Sequence, residues 1–509
     1  MVAAKAVWRR FLFVSNRAEM PLIRIGRLDF AALASFFLPF LLYSLTLAPT
    51  IYNLDSAELT TAAATGGILR ATGYPLYLLL GKLWSLLPLG DVGYRMNLFS
   101  AFCGAGTIFL ADRILRRLTI GTWARIGALG LLAAAPYFWA LSLIAEVYTL
   151  HTLLMAAILL ALLRCGTEPD WRSICLPWFL LGLSMGNHAA TVLLIPGILI
   201  YCLLRFPQRL LRPRMGLAAA AALAAGVSVY LIIPFRFASG PDFNYAGVFD
   251  SGGIFNPVNL STPAGLLWLV TGRAFSGQMF AYRPAEILPE IVHFALDLSR
   301  AFFVVGVLPG LVGLVVLTRR SKAFGLSLLA MASVNAAFFI NYRVIDKATM
   351  FLPVYLIWAI WLGCGYQVLI DWLSKVDSRR AATWFARGLP VVAVVSAVLW
   401  NWANVDLSHD WSTRLRSERI LRVVEEDAIV FGWWDTIPGI QYLQLVEGQR
   451  PDVLAINRFL ISGEDMNELI LSQVGSRPVY INNPSIEILK KAVATKVGPL
   501  YRLEGKSKE

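Results

Sequence analysis

Seven side chains are of types, and at positions, that suit chemistry at a membrane face. Asp55 and Glu58 lie three apart in Asn53-Leu54-Asp55-Ser56-Ala57-Glu58-Leu59, just beyond the first apolar run. A carboxylate held at a membrane surface is partly desolvated, which raises its pKa toward the range of a useful general base. The pair also has a plainer explanation: with a helix over 56–70, Asp55 is an N-cap and Glu58 follows it by three. Glu146, in Ile144-Ala145-Glu146-Val147-Tyr148, interrupts an apolar stretch at a turn. Such a residue is either a water-exposed turn marker or, ionisable groups being costly at membrane depth, part of a functional cavity. His188, in Gly186-Asn187-His188, sits at another turn, where it caps a hairpin or lines a site. No His-x-x-His or His/Cys cluster accompanies it, which disfavours zinc. Arg236 closes Ile233-Pro234-Phe235-Arg236 as a snorkelling anchor or as a phosphate clamp, a role that a planar five-donor guanidinium suits. Tyr342 and Asp346, in Asn341-Tyr342-Arg343-Val344-Ile345-Asp346-Lys347, lie at the mouth of two helices, where a loop salt bridge is the plainer account.

The elements that must position these groups are membrane helices. Of 509 residues, 57% are hydrophobic and 15% charged, against about 25% charged in soluble domains. A spanning helix needs about 20 apolar residues. Runs of that kind begin near 28–48, 94–112, 122–142, 147–164, 174–187, 188–205, 215–235, 300–318, 324–341, 350–371 and 388–404. The expected fold is an α-helical polytopic membrane protein with about eleven transmembrane helices. The net charge of +13 does not imply nucleic acid: 13 basic and 15 acidic residues lie from 405 onward, so the rest carries +15. That excess loads every second loop, at 113–125, 164–172, 205–214, 319–322 and 375–387, and marks those loops as cytoplasmic.

Residues 1–27 therefore read as a basic cytoplasmic tail, 28–404 as the transmembrane domain, and 405–509 as an external domain. In a bacterium, external means the periplasmic side of the inner membrane; in a eukaryote, the lumen of the endoplasmic reticulum. Two external connections are long, 49–93 and 236–299. Residues 56–70 and 75–87 are helix-like and apolar enough for the interface, and 263–280 reads as a surface helix. Past Trp402, strands at 428–432, 452–457 and 478–481 alternate with helices at 437–447 and 464–474, which predicts a small α/β domain with a mostly parallel sheet. The five cysteines, all in or beside apolar segments, imply no disulfide framework.

Several of these stretches resemble one family. Ala48-Pro49-Thr50, Asp55-Ser56-Ala57-Glu58-Leu59, Gly73-Tyr74-Pro75, Arg95-Met96-Asn97-Leu98-Phe99-Ser100-Ala101, Ala145-Glu146-Val147-Tyr148, Gly186-Asn187-His188, Pro234-Phe235-Arg236 and Phe351-Leu352-Pro353 are similar to the protein O-mannosyltransferase-like family of GT-C membrane glycosyltransferases. The likeness runs from about 45 to 460. It implies a GT-C fold, a polyprenyl-phosphate-linked sugar donor and inverting transfer at the non-cytoplasmic face, with Asp55 as base and Glu58 beside it. Ala57 stands where many relatives have Gly, and Tyr74 where many have His before Pro, so acceptor and sugar do not carry over.

The expected activity is transfer of a sugar to a protein, lipid or glycan hydroxyl. Arg236 and His188 would stabilise the departing phosphate, and Glu58 and Glu146 would orient the acceptor or a divalent ion, the one cofactor such acids would take. A transporter or flippase for a lipid-linked glycan is the alternative; transporters tend to carry inverted repeats and broken helices near the midplane. No repeat is visible. The topology makes a direct prediction: a lone cysteine introduced as Ser462→Cys, with the native cysteines replaced, reacts with an impermeant maleimide in intact cells. Reaction only after lysis would invert the topology.

Overall fold

The computed structural model describes residues 30–506 apart from 71, 167–168, 211, 377–379 and 464, so the 1–27 tail lies outside the described residues. Each expected apolar run coincides with a helix, but among the described residues six helices are long and apolar enough to cross a membrane. They are Val92–Arg117, Val147–Arg164, Pro213–Ala238, Lys322–Ile340, Lys347–Ser374 and Trp384–Val405. The other runs are short or broken, for local reasons. Phe30–Leu45 has 16 residues, and Pro136 splits 122–142 into Thr122–Ala133 and Pro136–Leu141 because proline supplies no amide to continue the ladder. Ala189–Leu194 enters Ile195–Arg205 as a tighter 3-10 turn. The run at 300–318 is two helices, Pro284–Ala301 and Val307–Arg320, separated where Phe303 and Val304 take φ of 51° and 59°.

The long connections hold the predicted short helices, Asp55–Thr65 and Pro75–Ser85. In the second connection the surface helix is shorter than expected, Pro263–Val270, and a hairpin precedes it: β1 (Gly247–Phe249) pairs antiparallel with β2 (Phe255–Pro257). The Pro284–Ala301 helix also occupies sequence expected to be loop.

Helices approach closely where side chains vanish. A Cβ on Gly313 would lie 1.7 Å from the Trp361 carbonyl oxygen, and one on Gly365 would lie 1.8 Å from that of Pro309. Small residues at such crossings let backbones meet when the surrounding solvent is itself apolar. The helices also sort charge. Val147–Arg164 begins beside Glu146 and ends at Arg164, and Lys322–Ile340 begins at the 319–322 basic cluster and ends beside Tyr342. The acids and the arginine-rich turns thus occupy opposite ends of the bundle.

After the Arg380–Val405 helix the chain forms a five-stranded sheet. Strands β3 (Ile429–Gly432), β4 (Leu454–Asn457) and β5 (Val479–Ile481) are parallel and fall within the predicted segments. The hairpin of β6 (Ala492–Val497) and β7 (Leu500–Gly505) adds antiparallel strands, giving the order β4-β3-β5-β7-β6.

This region is not a detached domain. The Ile437–Leu445 helix packs on Asp55–Thr65, and Ile51 and Ala57 share one buried cluster with Ile437, Ile440, Tyr442 and Leu443. Arg414 makes a bidentate pair with Glu447 at 2.6 and 2.7 Å and reaches Asp91, the N-cap of Val92–Arg117, at 3.2 Å. Hydrogen bonds to charged groups contribute about 1.5–3 kcal/mol when partly buried. Arg414→Met should therefore loosen the docking by about 2 kcal/mol, seen as faster amide exchange in Ile437–Leu445. Unchanged exchange there would show that the apolar cluster alone holds the two regions together.

Candidate active site

The chain enters the site through strain. Leu54 has φ 55° and ψ −133°, rare for a residue with a side chain and a kind of strain that concentrates at functional sites. Leu54, not Asp55, is the N-cap of Asp55–Thr65, and no side chain caps that end. The capping role expected of Asp55 is thus absent: Asp55 is the first helical residue, and its carboxylate is left for other work. It is exposed by area, yet protein atoms desolvate it, so it faces a recess rather than open water. Glu58, one turn on, is buried at 5% exposure.

Glu146 is brought to the same place by backbone anchors. The Ser56 hydroxyl accepts from the Ala145 amide at 3.2 Å, and the Ser100 hydroxyl accepts from the Glu146 amide at 3.2 Å. The Asn187 side-chain amide donates to the Val147 carbonyl at 3.0 Å, tying in the Gly186–His188 turn. Asn97 donates to the carbonyls of Ala48 and Thr50 at 2.9 and 2.8 Å, fixing the segment that leads to Asp55. Arg95 donates to the carbonyls of Ser85, Leu89 and Gly90, so it staples a loop. These motif residues are scaffold.

Asp346 arrives on a clasped loop. Arg343 pairs with Glu286 at 2.7 Å, Lys347 pairs with Glu290, and the Tyr282 ring lies under both cations at 4.7 and 4.4 Å. The loop salt bridge anticipated for this segment exists, but it is made by Arg343 and Lys347 and leaves Asp346 facing the recess. Tyr342 stacks on Phe338 with centroids 6.0 Å apart, at the rim.

The acids perturb one another's protonation. Burial first, then the Asp346 charge, push Asp55 up to about 6, while Arg70 pulls the other way. Burial and the Asp55 charge hold Glu58 well above the usual carboxylate range. Burial, Asp55 and Asp346 do the same to Glu146. Tyr74, held in the left-handed region at φ 45°, shares the recess and feels Asp55, Glu58 and Glu146.

Two of the expected site residues behave otherwise. Burial pushes His188 down to about 4, which leaves it neutral near pH 7, and its Nδ1 accepts from the Ala190 amide at 3.2 Å. It is therefore no cation for a phosphate; it packs instead against His151, Tyr148 and Tyr74. Arg236 is farther off. Its guanidinium donates to the Gly66 carbonyl at 3.4 Å, at the C-terminal end of the Asp55–Thr65 helix, about 16 Å along that helix from Asp55 at 1.5 Å per residue. It lines a small pocket with Gly73, Leu78, Leu79 and Ile233, away from the acids.

The cation beside the acids is Arg70, which sequence reasoning missed. Ile68 pins its loop by exchanging backbone bonds of 2.8 Å with Phe243 and Tyr245. Burial lowers the Arg70 pKa, and the Glu58 and Asp55 charges oppose that. Its Nε and Nη2 are buried without partners among the described residues. The missed signal was an arginine flanked by glycines in a loop otherwise apolar, Gly66-Gly67-Ile68-Leu69-Arg70. Among the described residues no three His, Cys, Asp or Glu side chains converge as a metal site.

The chain is similar to known proteins in sequence and in fold. Residues 55–211 match the protein O-mannosyl-transferase TMEM260 N-terminal domain, a span that begins at Asp55. The mouse protein O-mannosyl-transferase TMEM260 is 32% identical over 198 residues, 38% of this chain and 28% of the relative. The Dictyostelium discoideum protein O-mannosyl-transferase tmem260 is 21% identical over 476 residues, 83% of this chain and 56% of the relative. The chain thus spans between a quarter and three fifths of the relatives it matches. Two crystal structures of ArnT from Cupriavidus metallidurans share the fold. The one bound to undecaprenyl phosphate has a TM-score of 0.56 at 13% identity, covering 94% of this chain and 98% of that one. The apo structure gives 0.57 at 12%, covering 93% and 96%. The fold is that of a polytopic, GT-C-like membrane protein. In sequence it is similar to protein O-mannosyl-transferase TMEM260, with the resemblance centred on residues 55–211.

If the three charges share one recess, the Asp55 titration should report it. An infrared titration of its carboxyl band should give a midpoint near 6 in the wild type. Asp346→Asn removes a like charge and should lower that midpoint, whereas Arg70→Gln removes an opposite charge and should raise it. A midpoint indifferent to both changes would separate the groups.

Proposed function

We propose that this protein is an inverting glycosyltransferase, moving a sugar from a polyprenyl-phosphate-linked donor to a hydroxyl of a protein, lipid or glycan at the non-cytoplasmic face. The observation that carries the reading is the opposition of Asp55, an accessible but desolvated carboxylate, to Arg70, a buried guanidinium with two unsatisfied donors. A base with a pKa near 6 is largely ionised at pH 7 and still basic enough to take a proton as a bond forms. Nε and Nη2 lie along one edge of the guanidinium, the fork that meets two phosphate oxygens. The relatives' names point to mannose as the sugar and a protein as the acceptor, and the undecaprenyl phosphate in the ArnT structure points to the lipid carrier.

In the proposed reaction the acceptor oxygen attacks the anomeric carbon as the bond from that carbon to the phosphate oxygen breaks. The acceptor's proton passes to Asp55, the bonding pair leaves with the lipid phosphate, and Arg70 holds the growing negative charge. A fixed donor in a water-poor site does this without reorganising. Glu58 and Glu146, which burial and like charge shift toward the protonated form, serve as hydrogen-bonding groups that orient the acceptor.

Asp55→Asn tests the central role. Because Asp55 makes no capping bond, both Asp55→Asn and Asp55→Ala should fold and insert like the wild type. Mannose transfer from undecaprenyl phosphate mannose to a Ser/Thr peptide should fall by about 10²–10⁴-fold in both, the usual worth of a positioned base. Wild-type transfer by a folded Asp55→Asn variant would remove Asp55 as the base.

A further inference from the structure

Arg70 is held by aromatic rings from two distant segments. Its guanidinium carbon lies 5.1 Å from the Phe275 ring centroid, 4.6 Å from that of Trp434 and 4.6 Å from that of Phe459. Phe275 belongs to the second long connection, while Trp434 and Phe459 come from the C-terminal sheet region. Trp434 and Phe459 also contact each other edge-on, with centroids 4.7 Å apart.

The sheet makes this placement systematic. β3 and β4 are adjacent and parallel, with Gly432 paired to Asn457. The residues that follow, Trp433-Trp434 and Arg458-Phe459, therefore emerge side by side at the carboxyl ends of neighbouring strands. In open parallel sheets that end is where ligand-facing loops gather. Here it is pressed against the membrane-domain recess. Trp434 also lies against Glu58 and favours its charged form, although indole Nε1 and Glu58 Oε2 both remain buried without partners among the described residues.

The chemistry of the cage follows from the planar guanidinium. Rings that cover its faces leave its edge to hydrogen-bond in plane. One edge group, Nη1, donates to the Phe459 carbonyl at 3.4 Å, while Nε and Nη2 stay unsatisfied. The rings thus hold the guanidinium without consuming the free fork, and they offset the cost of keeping a long cation ordered in a desolvated place. We infer that the C-terminal region completes the phosphate site: Trp434 and Phe459 are positioning residues that hold the Arg70 fork for the lipid phosphate. This rests on the reading of Arg70 as the phosphate ligand given above.

The test measures undecaprenyl phosphate affinity of the full-length protein in detergent. Arg70→Ala should weaken binding by about 10–100-fold, the worth of charge-assisted bonds to a phosphate. Trp434→Ala should weaken it by about 10-fold, and Trp434→Phe, which keeps a ring over the guanidinium, should stay within about 3-fold of wild type. Trp434→Ala added to Arg70→Ala should cost nothing further, because a ring that acts only through Arg70 has no effect once Arg70 is gone. Phe459, 44% exposed, supplies Phe459→Ala as a second route should Trp434→Ala fail to fold. Weakening by Arg70→Ala with wild-type binding in the folded ring variants would overturn the cage and leave the phosphate reading standing. Wild-type binding by Arg70→Ala would overturn the phosphate reading itself. An additive loss in the double variant would make Trp434 a general structural residue and sink the proposal.

Discussion

Asp55, Glu58, Glu146 and Asp346 repel one another in a place that water reaches poorly, and the arrangement persists because Arg70 stands among them and the scaffold leaves the acids nowhere else to go. Carboxylates so confined respond by moving their pKa values upward and apart. Asp55, accessible and nearest the balance of Arg70 and Asp346, stops near 6, whereas the more deeply buried Glu58 and Glu146 go further. The size of the shift thus follows depth in the recess rather than residue type.

Much of the surrounding structure can be understood as the hardware of that confinement. Ser56, Ser100 and Asn187 hold the backbone on both sides of Glu146, and Asn97 holds the segment before Asp55. The ion pairs of Arg343 and Lys347 with Glu286 and Glu290 bring Asp346 in from the other side. The Arg414 network and the apolar cluster around Ile51 and Ala57 press the C-terminal sheet region onto the Asp55–Thr65 helix. Without that contact Arg70 would lose two of its three rings. The C-terminal region is therefore better regarded as a wall of the site than as an appendage.

Sequence and structure part where charge is shared between distant segments. Arg236 was an attractive phosphate clamp because it ends an apolar helix at the correct end of the bundle, a criterion Arg70 does not meet. Linear position says nothing about which of two arginines turns toward the acids. That is decided by Ile68, whose backbone bonds to Phe243 and Tyr245 orient the loop. His188 was likewise expected to help stabilise the phosphate, but burial among Tyr74, Tyr148 and His151 favours its neutral form.

Local chemistry was enough to place the apolar helices and the three parallel strands and to nominate Asp55, Glu58, Glu146 and Asp346, since hydrophobic runs, turn residues and misplaced acids are written in adjacent residues. It missed the Pro284–Ala301 helix. The β6–β7 hairpin escaped because Ala492–Val497 alternates only weakly and its turn at Gly498 resembles a loose tail. The breaks in the apolar runs escaped in part because composition measures how apolar a segment is and not whether its backbone stays helical, as the strained Phe303 and Val304 show. The identity of the cation, the neutral state of His188 and the aromatic wall were decided by tertiary structure alone. Each depends on groups tens to hundreds of residues apart meeting in a space of low dielectric, and the energy of such a meeting is a property of the distance between them, which no local pattern records.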